Sequence, residues 1–284
     1  MGRGMRVAVI GASSGLGRCI ATGLGQQGAR VALMGRRRER LEGAAAEAGE
    51  GAVVVPCDVT DPASCRSAVD EAAAALGGID GLVYTAGVGP LARLVDTDAE
   101  AWRLVLDTNV TGASLVTAAA VPHLTASSGT AIYLSSVSAS QTPPWPGLGA
   151  YAVSKAALDK LVEAWRGEHP EVGFTRLTVG ECGGGPGDSM SGFASGWDHQ
   201  LAGELVTTWI QRGYMTGALM DVSQLVAVVD RILRSDPSVC MPTVMVAPRL
   251  VVPDAYPTEE SFAEGTASPS PVLSPSQPVD REVP

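Results

Sequence analysis

Short apolar runs rich in β-branched residues alternate along this chain with alanine- and leucine-rich stretches of helical length. Continuously apolar strands have no polar face to turn to water, so they must be covered on both sides. Strict alternation of strand and helix meets that demand as a parallel sheet, each helix crossing back over one face. The pattern predicts strands at Val7–Ile10, Arg30–Met34, Ala52–Pro56, Gly81–Tyr84, Thr130–Ser135, Gly173–Val179 and Val244–Ala247. Helices are expected at Gly15–Gln27, Arg37–Ala48, Pro62–Leu76, Ala150–Gly167 and Val222–Arg234. A longer run, Ala99–Leu124, should break near Val110–Gly112. Gly180–Gly187 reads as a loop, and Phe193–Met220 as a mobile, partly helical lid. The fold class is therefore α/β: one doubly wound parallel sheet with helices on both faces.

The chain of 284 residues, 45% of them hydrophobic, suffices for one large domain. Residues 1–250 carry the alternating pattern. Residues 251–284 are rich in proline, serine and acids without apolar periodicity, and are expected to form a disordered or loosely attached tail. The formal charge of −10 argues against a nucleic-acid surface. About half of it is local, because Asp254, Glu259, Glu260, Glu264, Asp280 and Glu282 face only Arg281 beyond Val252. Five cysteines form no C-x-x-C pair, which favours reduced thiols. His123, His169 and His199 lie far apart, so no metal site is expected. Met1-Gly-Arg-Gly-Met-Arg6 leads straight into a strand, without the longer apolar segment of a signal peptide or membrane span. Arg6 also breaks a myristoylation motif. A soluble cytoplasmic protein with neither membrane nor nucleic acid as partner is expected.

Gly11-Ala-Ser13-Ser14-Gly15-Leu16-Gly17 joins the first strand to the first helix. Glycines allow a tight turn and close backbone approach to a pyrophosphate, while a helix N-terminus offers N–H groups and partial positive charge. Many glycine turns are purely structural, but this placement favours phosphate binding.

Tyr151 and Lys155, four residues apart in Tyr-Ala-Val-Ser-Lys, share one helix face with Cβ atoms about 5–6 Å apart. A phenol, with a reference pKa near ~10, is a poor acid at neutral pH. An ammonium about 4 Å away stabilises the phenolate by roughly 4 kcal/mol at an effective dielectric of ~20. That amounts to as much as about three pKa units, enough for proton exchange with an alcohol or carbonyl near pH 7. Alone, the pair reads equally as packing and a solvated lysine.

Together with the glycine pattern G-x-x-x-G-x-G, the Tyr-x-x-x-Lys pair resembles the short-chain dehydrogenase/reductase family, from about Met5 to Pro248. Further motifs fall in the family's order: Cys57-Asp58-Val59-Thr60 after the third strand, Thr85-Ala86-Gly87 after the fourth, Asn109-Val-Thr-Gly112, and Leu134-Ser-Ser-Val137. The resemblance implies a Rossmann-type fold with Gly11, Ser13, Ser14, Gly15, Leu16, Gly17, Asp58, Val59, Ala86 and Gly87 at the dinucleotide. It implies Tyr151 as general acid/base, and Lys155 as the residue that lowers its pKa and binds the nicotinamide ribose. Asn109 would help fix a relay water, a serine would hold the substrate oxygen, and hydride transfer would belong to the nicotinamide. Ser136 matches the serine motif, but the family's usual spacing selects Ser138. The loop Gln141–Gly147 absorbs two extra residues, so Ser136 is chosen and Ser138 stays open.

NADP(H) is favoured over NAD(H). Gly35 stands where an NAD enzyme would place aspartate, and Arg36 and Arg37 offer forks suited to a 2′-phosphate. Ser14, however, replaces a basic residue common in NADP-dependent members. Thr85 replaces an asparagine, which calls a strand-bracing hydrogen bond into question. The family's proline–glycine step after the sixth strand is displaced in Val179-Gly-Glu-Cys-Gly-Gly-Gly-Pro-Gly187. Trp145 and Trp197 read first as packing and second as pocket walls, and the neighbours Asp198 and His199 carry little weight as an acid/base pair. The expected activity interconverts a secondary alcohol and a carbonyl on a small molecule, in a homo-oligomer. The alternative is a dinucleotide-binding scaffold that has lost catalysis.

Overall fold

Strands β1 (Arg6–Ile10), β2 (Arg30–Gly35), β3 (Val53–Pro56), β4 (Gly81–Tyr84), β5 (Thr130–Ser136), β6 (Gly173–Val179) and β7 (Thr243–Val246) form one parallel sheet. Their spatial order is β3-β2-β1-β4-β5-β6-β7. All seven lie within a residue or so of the positions expected from sequence. The computed structural model describes residues 4–187 and 192–249. The described residues belong to one compact unit that ends at Arg249. The expected tail lies outside the described residues.

Alternating side chains of each strand feed two separate cores. Ala8, Ile10 and Met34 face α3 (Pro62–Leu76), α5 (Gly112–Ser127) and α7 (Gly149–Glu168). Val7, Val9 and Leu33 face α1 (Gly15–Gln26), α2 (Arg38–Ala48) and α9 (Val222–Leu233). The helices start and stop where their sequences dictate. Asp61 caps α3 by accepting from the Ala63 N–H, Pro62 opens its first turn, and Gly77 ends it in the left-handed region.

The long helical run does break, over a segment that overlaps the expected Val110–Gly112 and begins three residues before it. It comprises α4 (Ala99–Leu106), a π-turn at Asp107–Thr111, and α5. The wider turn carries Asn109 inward, where it is fully buried. By length and apolarity the 29-residue run Ala99–Ser127 would suffice to cross a membrane. Here Val116, Ala120 and Leu124 are fully buried in the core shared with α3. A four-residue helix, α6 (Val137–Ser140), follows β5. The Phe193–Met220 segment contains α8 (His199–Gln211), capped by Asp198 accepting from the Leu201 N–H at 2.8 Å. The Asp198–His199 pair is thus a helix start.

At the strand-order reversal between β1 and β4, Thr85 supplies the brace that its substitution for asparagine had called into question. Its hydroxyl donates to the Ile10 carbonyl at 2.6 Å, and its backbone N–H to the same oxygen at 2.9 Å. Thr85→Val keeps the shape and deletes one of these bonds. Denaturant unfolding should show a loss of about 1 kcal/mol, and an unchanged midpoint would mean that the backbone bond alone holds the junction.

Candidate active site

In a doubly wound sheet the ligand crevice lies at the carboxyl ends of the strands, where the order reverses. Here that point is bounded by Gly11 after β1 and by Thr85–Gly87 after β4. Gly11 has φ +88°, and a Cβ there would lie 2.7 Å from the Ala86 nitrogen. A Cβ on Gly17 would lie 2.2 Å from Thr85 Oγ1 and 2.4 Å from the Gly11 carbonyl oxygen. Neither position tolerates a side chain, so the two turns pack backbone to backbone. Ser14 precedes α1 without capping it through its side chain, leaving the helix N-terminus directed at the crevice. These are properties a pyrophosphate requires.

Arg37 arches over the same turn. Its Nη2 donates to Ser13 Oγ and Ser14 Oγ, both at 2.8 Å, and its Nε to Ser13 Oγ at 3.2 Å. Partial burial, then the neighbouring charges of Arg40 and Arg36, lower its pKa. Gly35 ends β2 beside it with no carboxylate. Asp58 is held ionised chiefly by Thr60, whose N–H and hydroxyl donate to Oδ1 at 3.0 and 2.8 Å. Arg18, next to Gly17 in sequence, was missed. It is 2% exposed, donates to the Arg40 carbonyl and Glu47, and so ties both ends of α2 to α1.

The residues expected to handle protons converge from β5, the π-turn and α7. Asn109 donates to the Val88 carbonyl and to Ser154 Oγ, each at 2.9 Å, and accepts from the Val88 N–H at 2.8 Å. Ser154 in turn donates to the Tyr151 carbonyl at 2.7 Å, joining Asn109 to the helical turn that carries Tyr151. Gly87 lies between two of these side chains, since a Cβ there would be 3.5 Å from both Asn109 Oδ1 and Lys155 Nζ. Ser136 and Ser138 share a hydrogen bond of 2.9 Å. Ser136 is the one whose hydroxyl favours the ionised form of the Tyr151 phenol, whereas Ser138 is buried, 3% exposed.

The electrostatics differ from the sequence expectation. Burial outweighs whatever pull Lys155 exerts on Tyr151 in this geometry. Its ammonium donates to the Leu134 carbonyl at 2.7 Å and lies over the Tyr151 ring, 5.7 Å from the centroid. Burial dominates both groups. It raises Tyr151 to about 12, with Ser136 the opposing influence. It lowers Lys155 to about 8, opposed by Asp159.

An aromatic wall stands beside Tyr151. Phe193 packs edge-on to Tyr151 at 4.9 Å and to Trp197 at 5.5 Å between ring centroids. Trp209 lies 6.1 Å from Trp197 and 5.2 Å from Trp145, which stacks at 6.5 Å with Tyr214. Two indole N–H groups anchor the wall, Trp197 to the Gly89 carbonyl at 2.8 Å and Trp209 to that of Pro146 at 2.9 Å. After β6, Glu181 holds Thr216 through that residue's N–H and hydroxyl, tying the end of this segment to the sheet.

Comparison with known proteins agrees with this geometry. The family model described as short chain dehydrogenase matches residues 5–186. The 11-beta-hydroxysteroid dehydrogenase-like 2 protein of Arabidopsis thaliana is 34% identical over 178 residues, covering 61% of this chain and 57% of the relative. An uncharacterized oxidoreductase of Staphylococcus epidermidis is 35% identical over 176 residues, covering 61% and 76%. The chain thus spans little more than half the length of the plant relatives it matches. Among solved structures, an alcohol dehydrogenase of Thermococcus sibiricus complexed with 5-hydroxy-NADP superposes with a TM-score of 0.72. It is 25% identical, with 88% of this chain and 100% of that one covered. Family motif, sheet order and site geometry coincide, and the chain belongs to the short-chain dehydrogenase family.

Proposed function

We propose that this chain is an NADP(H)-dependent oxidoreductase that interconverts a secondary alcohol and a carbonyl, with Tyr151 as general acid/base. The observation that carries the reading is the convergence of Ser136, Tyr151 and Lys155 around Gly87 and Asn109, at the mouth of the glycine crevice. When bound, the nicotinamide supplies or accepts the hydride. The glycine turn with Ser13, Ser14, Leu16 and the α1 N-terminus would hold the pyrophosphate. Asp58 and Val59 would flank the adenine, Ala86 and Gly87 would lie along the cofactor, and Lys155 would meet the nicotinamide ribose.

In reduction, Ser136 and Tyr151 hydrogen-bond the substrate carbonyl oxygen, and Tyr151 delivers the proton as negative charge develops there. Lys155 stabilises the phenolate left behind. Asn109 fixes the Val88 backbone and, through Ser154, the start of α7. A catalytically silent scaffold is the weaker reading, because a scaffold has no use for this buried acid/base set.

Arg37, already directed at Ser13 and Ser14, is assigned to the 2′-phosphate, and the absence of a carboxylate at Gly35 removes a repulsion. The aromatic wall suits a bulky apolar carbonyl compound, which accords with plant relatives named for a hydroxysteroid. The same proposal includes a cytoplasmic setting and self-association through α5 and α7.

Tyr151→Phe should retain NADPH binding, followed by nicotinamide fluorescence, and lose turnover by several orders of magnitude; substantial residual activity defeats the mechanism. Arg37→Gln should weaken NADPH by about tenfold to a hundredfold, the cost of a lost charged hydrogen-bond fork, and leave NADH nearly unchanged. Equal losses for both cofactors would return Arg37 to a purely structural role. Phe193→Ala should raise KM for a bicyclic aryl ketone more than for a four-carbon ketone. Parallel changes in the two would mean that the wall is only packing.

A further inference from the structure

A buried polar cell lies behind Lys155, between α7 and the ends of β5 and β6. Ser135 and Thr178 stand opposite each other across these strands, and Arg176, two residues before Thr178, shares their face. Asp159 enters from α7, one turn after Lys155 and only 5% exposed. Arg176 Nη1 lies 3.4 Å from Asp159 Oδ2 and 3.8 Å from Glu163 Oε1, so the charges alternate from Lys155 through Asp159 and Arg176 to Glu163.

The cell is also where unmet polar atoms gather. Among the described residues, six buried side-chain atoms have no hydrogen-bond partner, and four of them are here: Asp159 Oδ1, Ser135 Oγ, Thr178 Oγ1 and Arg176 Nε. Ser135 is close enough to favour the Asp159 carboxylate without completing an aligned bond to it. Folded interiors rarely leave such a cluster unpaired.

We propose that Asp159 is a positioning residue for proton transfer: it is the counter-charge that keeps the Lys155 ammonium protonated at the Leu134 carbonyl, beside Tyr151. This rests on reading Tyr151 and Lys155 as the proton-handling pair. A buried ammonium without a carboxylate sheds its proton to escape the desolvation cost, and a neutral amine does not stabilise a phenolate. Burial holds Lys155 down at about 8, and Asp159 is the charge that pushes it back up; burial also raises the Asp159 carboxyl, with Ser135, Arg176 and Lys155 favouring its charged form. The other charged or titratable groups facing the two residues are Tyr151 and Glu163 on α7 and Arg176 on β6. Asn109 on the π-turn does not titrate, and the Tyr133 hydroxyl of β5 is bonded to Thr117.

The composition makes the test direct, because Lys155 and Lys160 are the only lysines in the chain. In full-length protein carrying Lys160→Arg, 13C-labelled lysine reports Lys155 alone, and its NMR titration gives the midpoint. Asp159→Asn should lower that midpoint by about one pH unit, and Ser135→Ala should lower it by less. An unchanged or raised midpoint in folded Asp159→Asn overturns the assignment. If that variant does not fold, an unchanged midpoint in Ser135→Ala overturns it instead. A purely structural role would lower Tm and leave the midpoint in place. The midpoint is readable without turnover, so a shifted midpoint in a chain inactive on every carbonyl would reject the oxidoreductase reading while retaining Asp159's role.

Discussion

Backbone contact between the turn after β1 and the turn after β4 is the constraint on which the rest of the structure depends. Gly11 and Gly17 bring Thr85 and Ala86 against the phosphate turn, and Thr85 fastens the two strands with a pair of bonds to one carbonyl. That closeness places Gly87 against Asn109 and Lys155, so the glycine crevice and the surroundings of Tyr151 and Lys155 become one site. A side chain at Gly17 would push the strands apart and separate the two functions along with them.

Burial then sets the chemistry. Sequence spacing puts Tyr151 and Lys155 on one face but says nothing about how much water remains around them. In this site both are desolvated, so each is driven towards its neutral form. Ser136 opposes that drive at the phenol, and Asp159 opposes it at the amine. The pair is therefore governed by what surrounds it as much as by its own separation.

Legibility followed the range of the interactions. Strand and helix positions come from local periodicity, and the glycine turn, Tyr151, Lys155 and Asn109 stand within short motifs, so all were readable. Ser136 and Ser138 could not be separated in sequence, because the approach of either to Tyr151, fifteen or thirteen residues away across a proline-rich loop, is tertiary. Phe193 and Trp209 come from a segment whose path the sequence does not fix, and they reach Tyr151 and Trp145 only through tertiary packing. The Thr85 brace was misjudged because a hydroxyl and an amide can satisfy the same carbonyl, a chemical equivalence that motif matching overlooks. Asp159 reads in sequence as one more helix carboxylate. Only the facing strands reveal it as buried and paired with Arg176.

The division of labour between arginine and lysine supports the same conclusion from composition. Of twenty basic residues, eighteen are arginines. Arginine occupies the places that need permanent charge and planar donors: Arg37 on the serines of the phosphate turn, Arg18 between two helices, and Arg176 between two carboxylates. A guanidinium keeps its proton in any such setting, whereas an ammonium is compact and responds to its surroundings. Lysine in a buried position of so arginine-rich a chain marks the one place where charge has to be adjustable. A tunable base is useful only if something tunes it, and the nearest buried carboxylate on its own helix is Asp159.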